Sequence, residues 1–169
     1  MLLERIKEYG VQKILWAGTR IALGWTFIWA FFDKLLGLGY ATQSANAWVN
    51  GGSPTTGFLK FATSGPLSDF YSGLAGNAVV DWLFMMGLLF IGGALLLGIG
   101  VRIASYAGTL LMLLMWSSRL PPENNPIIDE HIVYILVLLT LGVVKAGQYL
   151  GLGKWWANTG WVKRFPILE

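Results

Sequence analysis

"VVDWLFMMGLLFIGGALLLGIG", residues 79–100, carries one charged side chain, Asp81, and that one stands near its start. Nothing in it alternates between apolar and polar, so it is no barrel strand. An apolar run of this length matches the roughly 20 residues a helix needs to cross a bilayer. Three further stretches share the pattern: "ILWAGTRIALGWTFIWAFFDKLL" at about 14–36, "RIASYAGTLLMLLMWSSR" at about 102–119, and "IIDEHIVYILVLLTLGVVKAG" at about 127–147. The fold class expected is an all-α integral membrane protein, a single four-helix domain over residues 1–169. "GIGVR" between the second and third spans allows only a tight turn, which makes them an antiparallel hairpin.

Composition agrees. The 169 residues are 55% hydrophobic and 12% charged, about half the charged fraction of a soluble domain. Mean hydropathy is +0.59. Nine tryptophans and 22 glycines suit interfacial belts and close helix packing, with Gly92, Gly93 and Gly98 as packing positions. The opening "MLLERIKEYGVQK" mixes acids with bases, and no small-residue cleavage site follows the apolar segment, unlike a removed signal peptide. Without cysteine the chain performs no disulfide exchange and holds no thiolate-bound metal. A net charge of +3 gives nucleic-acid binding nothing to stand on.

Four spans put both termini on one side. That side collects Arg5, Lys7, Lys13, Arg102, Lys145, Lys154, Lys163 and Arg164, against Lys34, Lys60 and Arg119 on the other. The positive-inside rule therefore predicts a multi-pass cell-membrane protein with both termini cytoplasmic. "KWWANTGWVKRF", residues 154–165, adds three tryptophans to bases, as an inner-leaflet anchor would. The long outer loop between the first two spans carries two helix-start signals, "SPTTGFLKF" (53–61) and "GPLSDFYSGL" (65–74). Short amphipathic helices follow, one presenting Phe58, Phe61 and Ala62, the other Leu67, Phe70, Tyr71 and Leu74, as a lid or a plain cover.

Polar residues then gather at the outer helix ends. Asn125 is suited to cap the fourth helix, with Pro126 in its first position. Asp129 and Glu130 would profit from the helix dipole. Capping needs neither the second acid nor the only histidine, His131. Asp81, Arg119, Asp33 and Lys34 end the other spans at the same level. Such charges are either solvated at the interface or paired in a site. Arg20 lies deeper, on a helical stripe with Gly24, Phe27, Phe31 and Lys34. It either snorkels to the headgroups or faces the bundle, where Ser105, Tyr106, Thr109, Thr140 or a ligand's oxygens would meet it.

Some chemistry is excluded. A single histidine cannot supply two axial ligands to a haem, and a histidine beside adjacent acids is neither HExxH nor a usual metal spacing, so no metal or haem is expected. "GIGVR" and "GLGK" lack a strand–loop–helix context and serve as turns.

"RIALGWTFIWAFFDK" (20–34), "VVDWLFMMGLLFIGGALLLGIGVRIA" (79–104), "NNPIIDEHIVYILVLL" (124–139) and "NGGSPTTGFL" (50–59) resemble the DoxX/DoxD superfamily in its DoxD-like branch, over nearly the whole chain. In that branch DoxD is the membrane subunit of thiosulfate:quinone oxidoreductase. The resemblance implies a quinone-interacting subunit passing electrons from a sulfur compound to a membrane quinone. His131, Glu130 and Asp129 would then act catalytically on protons. Arg20, Lys34, Asp81 and Arg119 would bind substrate or quinone. The lipid bilayer and a separate soluble or membrane subunit would be partners, and a homo-oligomer is compatible. The competing reading is a non-catalytic assembly factor or scaffold for a partner protein. A transporter lacks support, since no inverted repeat or pair of broken helices is visible.

Overall fold

The computed structural model describes the backbone of residues 2–169 and side chains from Gly10 onward; the inner bases Arg5 and Lys7 lie outside the described side chains. It is all-helical, with no strand among the described residues. Helix α1 (Leu2–Leu36) begins well before the expected residue 14, because helix resumes on the far side of a break at Gly10, whose φ of 72° only glycine adopts cheaply. Two short helices, α2 (Thr56–Phe61) and α3 (Ser68–Gly73), occupy the loop. The hairpin α4 (Ala78–Leu97) and α5 (Val101–Ser117) follows, then α6 (Glu130–Val143), and two short helices, α7 (Gly153–Ala157) and α8 (Gly160–Arg164), end the chain.

Two helices are long and apolar enough to cross a membrane: α1 from Gly10 to Leu36, 27 residues, and α4, 20 residues. At 1.5 Å per residue, α4 measures about 30 Å, the thickness of a hydrocarbon core. α5 and α6 are shorter, at 17 and 14 residues. The fourth expected span is trimmed at both ends. Asp129 in extended backbone starts α6, while Val144 caps it and Lys145, at φ 52°, turns the chain away.

α1 packs along α4 and α5 along α6, and the α4–α5 hairpin joins the two pairs. Small residues let these pairs close. A Cβ on Gly24 would stand 2.9 Å from the Leu96 nitrogen, and one on Gly92 would stand 2.8 Å from the Ile28 nitrogen. Gly108 and Gly142 admit Leu138 and Ser105 between α5 and α6 in the same way. Gly93 faces open space, but Gly92 packs mid-helix and Gly98, which also ends α4, packs against the Gly147 backbone, where a Cβ would stand 2.8 Å from the Gly147 carbonyl oxygen. Leu23, Phe27, Phe31, Met85, Leu88, Leu95, Leu138 and Leu141 fill the centre.

The loop helices follow their sequence faces only in part, with Tyr71 buried and Phe58, Ala62 and Leu74 half-buried as those faces suggest. Leu59 and Tyr71 turn inward, whereas Phe61 is 84% exposed and Phe70 and Leu67 also face out. Polar fastenings decide this. The Ser64 amide donates to the Ser118 carbonyl at 2.9 Å, and the Tyr71 hydroxyl meets Ser117 Oγ at 2.6 Å. The loop is thereby tied across the end of α5 as a cover.

Candidate functional site

Arg20 is completely buried, which places it within the bundle. Its partners are not the hydroxyls expected of Ser105, Tyr106, Thr109 and Thr140. Ser105 and Thr140 donate to carbonyls in their own helices, Thr109 Oγ1 has no partner, and Tyr106 points outward. The Arg20 guanidinium instead donates to the carbonyls of Leu95, Leu96 (3.0 Å), Tyr149 (3.3 Å) and Leu150 (3.1 Å). No carboxylate pairs with it among the described residues. The negative end of the α4 dipole takes that place.

This arrangement completes an otherwise open helix end. The last four carbonyls of a helix lack intrahelical donors. In α4 the Ala94 carbonyl receives the Gly98 amide at 2.8 Å, Arg20 takes Leu95 and Leu96, and the Leu152 amide reaches Leu97 at 2.9 Å. Arg20 is thus a cap contributed by α1, and a structural residue.

At the opposite end, Asp33 and Asp81 are likewise occupied. Asp33 is buried and accepts from the Tyr40 and Ala41 amides at 3.2 and 3.0 Å. Asp81 is buried and accepts from Ser53 Oγ at 2.9 Å and Thr55 Oγ1 at 2.5 Å. Ser53 and Thr55 went unnoticed in the sequence because they lie far from Asp81 along the chain. Both acids hold the loop. Lys34, half-buried beside Asp33, does not line the cavity described next.

What the fold does bring together is Arg119, Glu123, Asn125, Asp129 and Glu130, around an open cavity of about 180 Å³. Asn125 is not the cap of α6. Its Oδ1 accepts from the Ile127 and Ile128 amides, both at 3.0 Å, in a turn of its own. Trp116 Nε1 donates to the Ile127 carbonyl at 2.9 Å, which pins that turn and leaves the cap to Asp129. Asp129 Oδ1 accepts from the His131 amide at 3.0 Å and the Ile132 amide at 3.4 Å. Its Oδ2 lies 2.8 Å from His131 Nδ1.

The His131 ring and the two amides all meet the Asp129 carboxylate. An ionised carboxylate only accepts, so Nδ1 carries a proton. Nε2 is then the nitrogen free to exchange one. His131 is 6% exposed, whereas Glu130 stands in the open as the first residue of α6. The Arg119–Glu123 pair is loose, at 3.7 Å and largely exposed. Ligand atoms of Asp129, Glu130 and His131 lie within 4.8 Å of one another. One guanidinium faces three carboxylates around this cavity, so it favours cations and protons over anions. Arg119 lines this cavity and Lys34 does not, so the two bases do not share it.

The chain was compared with protein-family models, with curated proteins and with solved structures, and nothing matches it.

Proposed function

We propose that α1, α4, α5 and α6 all cross a bilayer, with both termini cytoplasmic, and that the chain is the quinone-interacting subunit of a DoxD-like thiosulfate:quinone oxidoreductase complex. Lipid contact is supported by the outer faces of all four helices. Trp25 and Phe32 on α1, Leu83 and Phe90 on α4, Leu110 and Leu113 on α5, and Val133 and Leu136 on α6 are all exposed. Soluble monomers rarely show apolar surface on that scale. At 14 residues α6 spans about 21 Å, and exposed Ile127 and Ile128 just before it lengthen its apolar face.

The observation that carries the reaction is His131, buried against Asp129 beside a polar cavity. Reducing a quinone consumes protons and electrons in equal number, and a histidine oriented by a carboxylate is suited to passing the protons. With no cysteine and an acidic cavity, this chain is poorly suited to the thiosulfate dianion. Oxidation of the sulfur compound therefore belongs to a separate subunit. The scaffold reading is favoured by a different observation: Arg20, Asp33 and Asp81 are all spent on internal hydrogen bonds, which leaves exposed Arg119, Glu123 and Glu130 as docking charges.

The discriminating measurement is reduction of a short-chain quinone by thiosulfate, with and without co-purifying partners. On the redox reading, His131→Gln and Glu130→Gln lower the rate about 10²–10⁴-fold in folded protein. Wild-type protein with neither activity nor quinone binding under any partner condition selects the scaffold. The charged rim would then show as salt-sensitive partner binding.

A further inference from the structure

The C-terminal segment after α6 divides into an inward and an outward face. Inward, Val162 and Gly153 are buried, and Trp156 Nε1 donates to the Leu168 carbonyl at 2.6 Å. The segment is bolted to the helix ends. Leu152 bonds Leu97, Arg20 holds Tyr149 and Leu150, and Arg102 donates to the Pro166 carbonyl at 3.3 Å. Outward, Trp155 and Trp161 are 62% and 69% exposed, with Phe165 and Ile167 beside them. Lys154, Lys163 and Arg164 are exposed on the same stretch.

Its charge is one-sided for a structural reason. Glu169 is the only acid among residues 145–169. Its carboxylate is turned inward, 2.7 Å from Lys145 Nζ and bonded by Gln148 Nε2. Within residues 152–168, Trp155, Trp161, Lys163 and Arg164 therefore face out, and that stretch itself contains no acid. This face is level with the end of α4, because Leu152 is bonded to that helix's last residue, Leu97. If α4 crosses a bilayer, its end lies at the headgroups, and so does the tail.

From this we infer that residues 152–168 form a docking surface for anionic phospholipid headgroups, with Trp155 and Trp161 seated at the headgroup–acyl boundary and Lys163 and Arg164 on the phosphates. Indoles favour that boundary, and each base near an anionic surface adds attraction. The inference rests on the membrane reading, and the two fail separately. An acidic protein partner is the alternative occupant, and it would not bring this segment deeper in protein-free anionic vesicles.

Because the chain lacks cysteine, single sites can be labelled in the full-length protein. Gly160→Cys, where a Cβ meets open space, reports the tail, and exposed Phe90→Cys reports α4. Each nitroxide-labelled protein is placed in phosphatidylcholine vesicles with and without phosphatidylglycerol, and label depth is read from collision with oxygen and with a water-soluble relaxant. The expected result is a Phe90 label in hydrocarbon in both lipids and a Gly160 label near the headgroups in phosphatidylcholine that moves deeper when phosphatidylglycerol is present. K163E together with R164E abolishes that shift. A Gly160 label equally water-accessible in both lipids, with Phe90 in hydrocarbon, overturns the docking surface alone. Equal immersion in both lipids overturns the role of headgroup charge. A water-exposed Phe90 label overturns the membrane reading beneath both.

Discussion

Replacing Arg20 by methionine keeps most of the side chain's volume and removes every donor. The carbonyls of Leu95, Leu96, Tyr149 and Leu150 then lose a partner inside the fold. Each buried acceptor left unmet costs roughly 1–3 kcal/mol, and water reaching the Tyr149–Leu150 loop relieves part of that sum. A net loss of about 3–5 kcal/mol follows, in the range of breaking a buried charge network. For a chain of this length that lowers Tm by about 10 °C or more. Arg20→Lys keeps the charge but cannot fork between helix and loop, so it falls between wild type and Arg20→Met. Thermal unfolding in detergent, followed by circular dichroism, measures the loss. A nitroxide at Leu150→Cys should also gain mobility, because the loop loses its anchor before the helices melt. If Arg20→Met melts within about 1 kcal/mol of wild type and the loop label stays immobile, the carbonyl cap is not what holds this end together.

Three more outcomes follow from the same geometry. Gly92→Ala drives a methyl to 2.8 Å from the Ile28 nitrogen and should destabilise by about 1–3 kcal/mol, while Gly93→Ala, facing open space, should be neutral or stabilising by about 0.5–1 kcal/mol; paired melting curves decide. Asp81→Asn replaces the carboxylate oxygen that both the Ser53 and Thr55 hydroxyls meet by a weaker amide acceptor and should loosen the loop by about 1 kcal/mol, read as faster proteolysis within residues 51–77. Burial pushes the Glu169 carboxyl up, but Lys145 and Gln148 hydrogen bonds, with the charges of Lys145 and Arg102, hold it below its ordinary value. A depressed carboxyl contributes stability above its unfolded pKa of about 4.3 and loses it as pH falls through the folded value. Acid melting of wild type should therefore show a decline below about pH 4.3 that Glu169→Gln partly removes; identical acid profiles would refute the pairing.

The helices were legible because apolar composition is a property of a stretch, and a stretch such as 79–100 admits few alternatives. Arg20 shows where legibility stops. Its stripe with Gly24, Phe27 and Phe31 left snorkelling and an inward orientation both open; it is inward, and its partners are backbone carbonyls, which every residue carries and no side-chain pattern marks. Asn125 and Asp129 are both good capping residues a few positions apart. The choice between them was made by Trp116 reaching the Ile127 carbonyl, a tertiary bond. Asp129, Glu130 and His131 were visible as a cluster because they are contiguous. That Asp33 and Asp81 serve the loop instead required knowing where Tyr40, Ser53 and Thr55 fold back. The faces of α2 and α3 held only in part, for a related reason: helices of 6 residues follow their fastenings more than their own amphipathicity.

The completed end of α4 also imposes an order of assembly. During synthesis Arg20 emerges long before its first acceptors at 95 and 96, and those long before the carbonyls at 149 and 150 and the Leu152 amide. A nascent chain that has finished its α4–α5 hairpin still carries an unanswered Leu97 carbonyl and a guanidinium only half engaged. Those groups stay open until roughly 35 further residues have been made, the separation of Ser117, where the hairpin ends, from Leu152. An intermediate halted before that point would expose a cation and a bare helix end together, a mark by which quality-control machinery could tell an unfinished chain from a finished one.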